Sequence, residues 1–154
     1  LGRYDGVLGR AIRELKFHGV ADLASELGAA LAEGVGPGEV LVPVPLHPRR
    51  ERARGYNQAA LLARAAARRH AKVAPRLIRV RATPTQVGLG ARERRRNVAG
   101  AFAIAGAPPP TAILVDDVMT TGATLLECAR TLRNAGTRTV AALVVAHAAV
   151  GRDG

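Results

Sequence analysis

Cysteine occurs once in the 154 residues, at Cys128, and tryptophan does not occur at all. A lone cysteine excludes an internal disulfide and a cysteine-cluster metal site. Set in an apolar helical stripe, Cys128 reads as an inert core thiol. Aromatic residues make up 3% of the chain, so the core must be aliphatic, drawn from the 48% that is hydrophobic. Only Tyr4, Phe17, Tyr56 and Phe102 are available for stacking, which counts against a sequence-tolerant stacking platform for single-stranded nucleic acid. No apolar run approaches the roughly 20 residues of a membrane span. No basic start leads into an apolar stretch and a cleavage site. A cytoplasmic protein without membrane insertion is therefore expected. His18, His70 and His147 stand singly with no metal spacing, and structural or surface roles are expected of them.

Acidic residues are also few, 12 against 23 Lys plus Arg, giving a net charge of +11. Lys16 and Lys72 are the only lysines, so arginine carries almost all of this charge. Such a field attracts anions, whether phosphorylated sugars, pyrophosphate or nucleic acid, and does not choose among them. The length fits a single domain over residues 1–154. Because the chain opens on Leu1 rather than Met, an upstream segment is expected.

Apolar spacing predicts helices over Val7–Phe17, stopped by His18-Gly19, and over Ala21–Glu33. Gly34–Gly38 reads as a turn and Val40-Leu41-Val42 as a buried strand, ended by Pro43 and Pro45. A basic loop, His47–Gly55, feeds a helix from Asn57 to His70, with Leu77–Val80 a short strand beyond it. Ala82–Val98 carries no sustained period and contains a dense arginine run, the pattern of a long functional loop. Ala101–Ile104 reads as a short strand and Ala105–Pro110 as a turn. The clearest unit is the last: an apolar strand Ala112–Val115, a loop Asp116–Thr121, a helix Gly122–Asn134 with Gly136 beyond its end, and a strand Thr139–Ala146. This βαβ unit predicts an α/β fold, a mostly parallel sheet flanked by helices.

The same unit carries the chemistry. Asp116 and Asp117 stand at the carboxyl end of a buried parallel strand, where open α/β sheets bind ligands. Val118 and Met119 lead on to Thr120, Thr121, Gly122, Ala123 and Thr124 at a helix start. Gly122 permits close backbone approach, and the free N–H groups and threonine hydroxyls form a cradle for one terminal phosphate. The adjacent acids would repel a polyphosphate but accept hydrogen bonds from sugar hydroxyls. A phosphate at one end and a diol at the other describe a ribose 5-phosphate. The reading requires that the two carboxylates are not both buried in ion pairs and that the Thr120–Thr124 amides are not capped by protein atoms.

Strand, twin acids and Thr-Gly-Ala-Thr together resemble the 5-phosphoribosyl-1-pyrophosphate (PRPP) signature of type I phosphoribosyltransferases. Further segments resemble the competence protein F (ComF) family collinearly over essentially the whole chain. These are Leu15-Lys16-Phe17-His18-Gly19, Val42-Pro43-Val44-Pro45-Leu46-His47-Pro48, Arg54-Gly55-Tyr56-Asn57-Gln58 and Gln86–Phe102. Many members of that family carry an N-terminal cysteine-rich zinc module, which is not seen in this sequence.

The resemblance implies a type I phosphoribosyltransferase fold and a set of roles. Asp116 and Asp117 would hold the ribose 2- and 3-hydroxyls, with Val118–Thr124 around the 5-phosphate. Pro43, Val44, Pro45, Leu46 and His47 match the loop that contacts pyrophosphate. Val42-Pro43 and Val44-Pro45 are tertiary amides, where cis costs only about 0.5–1 kcal/mol. Some of Arg49, Arg50, Arg52 and Arg54 are expected to meet pyrophosphate or an acidic partner. Asn57 and Gln58 are expected near the site, with capping the cheaper role for Asn57. Gln86–Asn97 matches a mobile loop that closes over PRPP, from which Arg94 and Arg95 would meet the leaving pyrophosphate. The expected cofactor is Mg²⁺, held through PRPP and by Asp116 and Asp117, with no all-protein metal site.

The acceptor stays open. A PRPP-dependent transferase, a PRPP-binding component of the competence and DNA-uptake machinery, and a nucleobase-salvage phosphoribosyltransferase all remain. So does a non-catalytic module for single-stranded nucleic acid. Single-stranded DNA, DNA-uptake proteins and a second copy of the chain are the partners these readings imply.

Overall fold

A computed structural model of the chain describes residues 1–17, 21–68, 70–83 and 90–148. The chain begins with β1 (Gly2–Arg3), α1 (Gly6–Phe17), α2 (Ala21–Leu31), β2 (Val40–Pro43), α3 (Pro48–Arg54) and α4 (Gln58–Ala67). It continues through β3 (Lys72–Val73), β4 (Leu77–Arg79), α5 (Ala91–Val98), β5 (Phe102–Ile104), β6 (Thr111–Met119), α6 (Ala123–Asn134) and β7 (Thr139–His147).

The apolar runs pair as the βαβ pattern requires. Five strands form one sheet in the order β1-β7-β6-β2-β3, and every neighbouring pair in it is parallel. Burial on both faces explains why Leu41, Val42 and Ile113–Val115 show no polar alternation. On one face α1, α2 and α4 pack Ile12, Leu15, Leu31, Leu62 and Ala66 against Ile113 and Val115. The other face is covered by α6 and by the segment around Val98 and Phe102, which pack on Ala112 and Leu114. Helices α2 and α4 approach so closely at Gly28 that a Cβ there would collide with that of Ala65. Fully buried Ile12 and Leu15 root α1 on the sheet, each such side chain stabilising the fold by about 1.5–3 kcal/mol.

Several elements differ from the sequence reading. β6 runs on to Met119 instead of yielding to a loop at Asp116. Pairing with the long β7 causes this, with Asp116 opposite Val144 and Val118 opposite Ala146. Both acids therefore sit within a strand. Successive residues on a strand face opposite sides, so Asp117 joins the α1 face and Asp116 the α6 face. The expected basic loop is largely helix α3. His47 caps it through Nδ1, which accepts from Arg49 N at 3.3 Å, and Gly55 ends it at φ 85°.

The arginine run is likewise helical, as α5, with Glu93 reaching back to Gly90 N at 2.9 Å. Arginine is a good helix former, and a run without apolar periodicity hides that propensity. Of the expected mobile loop, Gln86–Leu89 lies outside the described residues, as does His18-Gly19, the expected stop of α1. The helix expected to reach Glu33 ends at Leu31 in a 3-10 turn over Ala32–Gly34, and α4 ends at Ala67 rather than His70. Strands β1 and β3, two residues each, have no periodicity to betray them. β4 and β5 form a separate antiparallel pair outside the main sheet. Among the described residues, no helix is long and apolar enough to cross a membrane.

Candidate functional site

Parallel strands end together, and at their carboxyl ends the described structure opens into a cavity of about 510 Å³. Asp116, Asp117 and Val118 from β6, Thr120 and Thr124 beyond it, and Val44, Pro45 and Leu46 beyond β2 line it. So do Tyr4, Lys16, Arg50, Gln58, Arg79, Arg94 and Ala148. A smaller hollow of about 20 Å³ adjoins it between Asp116, Thr120, Gly122 and Leu125.

That hollow is the start of α6. Gly122 is its N-cap at φ 72°, a left-handed conformation that suits glycine, and no side chain caps the helix. The first-turn N–H groups have no intrahelical acceptors. The Thr121 hydroxyl is shut off from solvent without a partner. The helix start thus turns its N–H groups to the hollow, whereas the Thr121 hydroxyl lines neither cavity.

The two carboxylates are not equivalent. Asp116 Oδ1 accepts from Asp117 N at 2.9 Å, and Asp117 Oδ1 from Val118 N at 2.8 Å. Burial, and then the neighbouring Asp117 charge, push the Asp116 carboxyl well above the usual carboxylate range. Asp117 is 4% exposed, and its Oδ2 lies 2.9 Å from Lys16 Nζ. One of the two acids is thus buried in an ion pair and the other is not. Among the described residues Asp117 has an ion-pair partner and Asp116 has none. Lys16 escaped the sequence reading because its helical position says nothing about which strand faces it.

Cations dominate the rest of the wall. Arg79 on β4 is buried, donates from Nη2 to Thr83 Oγ1, and lies 5.4 Å from the Phe102 ring. Its Nε and that of Arg94 are buried without a hydrogen-bond partner among the described residues. Arg50 Nη2 donates to the Thr83 carbonyl at 3.0 Å, so Thr83 gathers two guanidiniums. Burial first, and then the Arg50 charge, weigh against the Arg79 cation, which favours an anion as its counterpart. Arg79 had no motif around it; only the β4–β5 pairing turns it inward.

Of the residues expected around pyrophosphate, Val44, Pro45, Leu46 and Arg94 line the cavity. Pro43 is buried in β2, His47 caps α3 and Arg95 is exposed on α5. Burial and then the nearby arginines, Arg49 first, lower the His47 imidazole below its ordinary range, which agrees with Nδ1 acting as acceptor. Both X–Pro bonds in 42–45 are trans. Asn57 caps α4 by accepting from Ala59 N at 2.9 Å, and donates to the Val44 carbonyl at 3.0 Å. It thereby secures the 43–47 segment from outside the cavity. Gln58 lines the cavity and accepts from Arg54 at 2.5 Å.

No family model matches the chain. It is 36% identical over 149 residues to the DNA utilization protein YhgH of Escherichia coli O157:H7, covering 89% of this chain and 66% of that protein. It is 42% identical over 104 residues to competence protein F of Haemophilus influenzae, covering 64% of this chain and 45% of that protein. This chain belongs to the ComF family. It spans under half the length of that competence protein F and about two thirds of that of YhgH. A solved hypoxanthine phosphoribosyltransferase from Staphylococcus aureus overlays at a TM-score of 0.42 and 11% identity, covering 81% of this ComF-family chain and 61% of that one. The protein TT1426 from Thermus thermophilus overlays at a TM-score of 0.42 and 20% identity, covering 79% of this chain and 72% of that one.

Proposed function

We propose that this ComF-family chain binds PRPP with Mg²⁺ and is a phosphoribosyltransferase-type component of competence and DNA uptake. The observation that carries the reading is the start of α6, uncapped by any side chain, next to Asp116 and open to a cationic cavity. The 5-phosphate would take the backbone amides at the start of α6, where Gly122 leaves the N-cap without a side-chain hydrogen bond. Asp116 accepts from a ribose hydroxyl. Arg50, Arg79 and Arg94 face the pyrophosphate, where charge-assisted hydrogen bonds are strong.

Among the described residues no group of three metal-ligating side chains comes together. Asp116 and Asp117 offer hard oxygen donors that would suit a cation whose shell is completed by ligand oxygens, the usual habit of Mg²⁺. When bound, Mg²⁺ neutralises charge on the departing pyrophosphate. The protein's own share is to anchor the phosphate, orient the ring and place arginines where negative charge accumulates. No covalent nucleophile is required, and Cys128 is too buried to be one.

Calorimetry with PRPP and Mg²⁺ tests the reading. Asp116→Asn is expected to abolish binding while the fold survives; unchanged affinity rejects the site. Arg79→Gln and Arg94→Gln should weaken pyrophosphate more than ribose 5-phosphate, and equal losses would count against the leaving-group role. A screen of nucleobases and amines for PRPP-dependent pyrophosphate release separates transferase, including base salvage, from PRPP sensing. A second reading, binding of single-stranded DNA, is favoured by the exposed Arg49, Arg52, Arg95 and Arg96 on α3 and α5. A gel shift lost on changing these four to Ala supports it, and no shift at any salt removes it.

A further inference from the structure

Asp117 is withdrawn from solvent with one oxygen left over. Oδ1 accepts from Val118 N, but Oδ2 meets no aligned donor among the described residues. What faces it is charge, the Lys16 ammonium at 2.9 Å. A buried carboxylate without a countercharge is strongly disfavoured, so Lys16 is what permits Asp117 to be buried. Lys16 is held at its root: Leu15 beside it is fully buried, and the Leu15 carbonyl accepts from the Tyr56 hydroxyl at 2.5 Å. Its tip is not. The side chain is 24% exposed, lines the cavity, and carries its ammonium 6.0 Å from the centre of the Tyr4 ring. Lysine is a compact charge on a flexible four-carbon stem, so a fixed root and a cavity-facing tip let the charge move while the helix stays.

We infer that Lys16 is a displaceable resident cation. In the free protein it holds the place at Asp117 Oδ2 that a divalent cation would take, and it moves onto the ligand's anionic group when that ligand brings its own metal. The inference rests on reading the cavity as a site for a phosphorylated, metal-bearing ligand. Its consequence is ordered entry: the free protein refuses the metal alone, and metal and ligand arrive together. Arg50, Arg79 and Arg94, on the same cavity wall, add repulsion against a lone cation.

Mn²⁺ alone, with no phosphorylated compound present, is titrated against the protein by electron paramagnetic resonance and by thermal melting. The wild-type chain is expected to leave Mn²⁺ free. Lys16→Met should bind it at least about tenfold more tightly, melt below wild type, and regain Tm as Mn²⁺ is added. The double variant Lys16→Met with Asp117→Asn should fold and lose the gained site. Lys16→Arg should still refuse the metal. Wild-type binding as tight as that of Lys16→Met, or a gained site that survives Asp117→Asn, overturns the inference. Should Lys16→Met and Lys16→Gln both fail to fold, rescue of folding by Mn²⁺ supports it and absence of rescue overturns it. The two readings fail separately. A chain that ignores PRPP yet gains the Mn²⁺ site refutes the PRPP proposal alone; one that binds PRPP with Mg²⁺ but gains no site refutes the role of Lys16 alone.

Discussion

Asp116 shows how a carboxyl on a cavity wall burdens the fold that carries it. Its carboxyl is pushed up chiefly by burial, so folding disfavours its ionised form relative to the unfolded chain. Stability is then greatest below the ordinary carboxylate value and falls as pH rises through the raised one. Asp116→Asn removes that dependence. The variant is expected to melt a few degrees above wild type at pH 7–8, and level with it near pH 3.5, while losing ligand binding. Calorimetric melts across this range check the sign, and a variant less stable than wild type at pH 8 would contradict it. The strand's acids were legible as a motif, but their inequality was not. Alternation along an extended β6 sends Asp117 toward Lys16 and Asp116 toward Arg79, and only the packing of α1 and β4 against the sheet supplies those charges.

At the scale of elements, α5 brings Arg94 to the cavity, and its place depends on α6. Glu127, nearly buried on α6, accepts from Gly100 N at 2.7 Å just beyond α5, and from Arg130 through both oxygens at 2.6 and 2.9 Å. The Arg130 bonds above all lower its carboxyl below the ordinary 4.5. A lowered acid contributes stability that is present above its unfolded value and lost as pH falls through the folded one. Glu127→Gln is expected to cost about 1–3 kcal/mol at pH 7 and to flatten acid unfolding below about pH 4.5. Urea melts at both pH values measure it. An unchanged midpoint at pH 7 would show that Gly100 is held by other means. The variant should also weaken pyrophosphate binding, since Arg94 loses its footing. Helix α3 depends on a neutral imidazole: as pH falls below the ordinary histidine range, protonated His47 can no longer accept from Arg49 N, and α3 is expected to fray in amide exchange.

At the scale of the whole molecule, the +11 charge predicts strong, salt-sensitive attraction for anions. Any binding to single-stranded DNA should fall steeply as salt rises from about 50 to 200 mM, whereas PRPP held in a partly enclosed cavity should lose less. Parallel titrations of both ligands across that range distinguish a surface field from a built site; equal slopes would place the ligand at the surface. The parallel sheet and the glycine-led start of α6 were readable in advance because both depend on local chemistry. A continuous apolar strand before twin acids, and a glycine at a helix start beside three threonines, carry their meaning within a dozen residues. The lengths of α3 and α5, the inward turn of Arg79 and the Lys16–Asp117 pair were not. Each depends on contact between segments far apart in the chain, where burial and partner charge outweigh anything that neighbouring residues can encode.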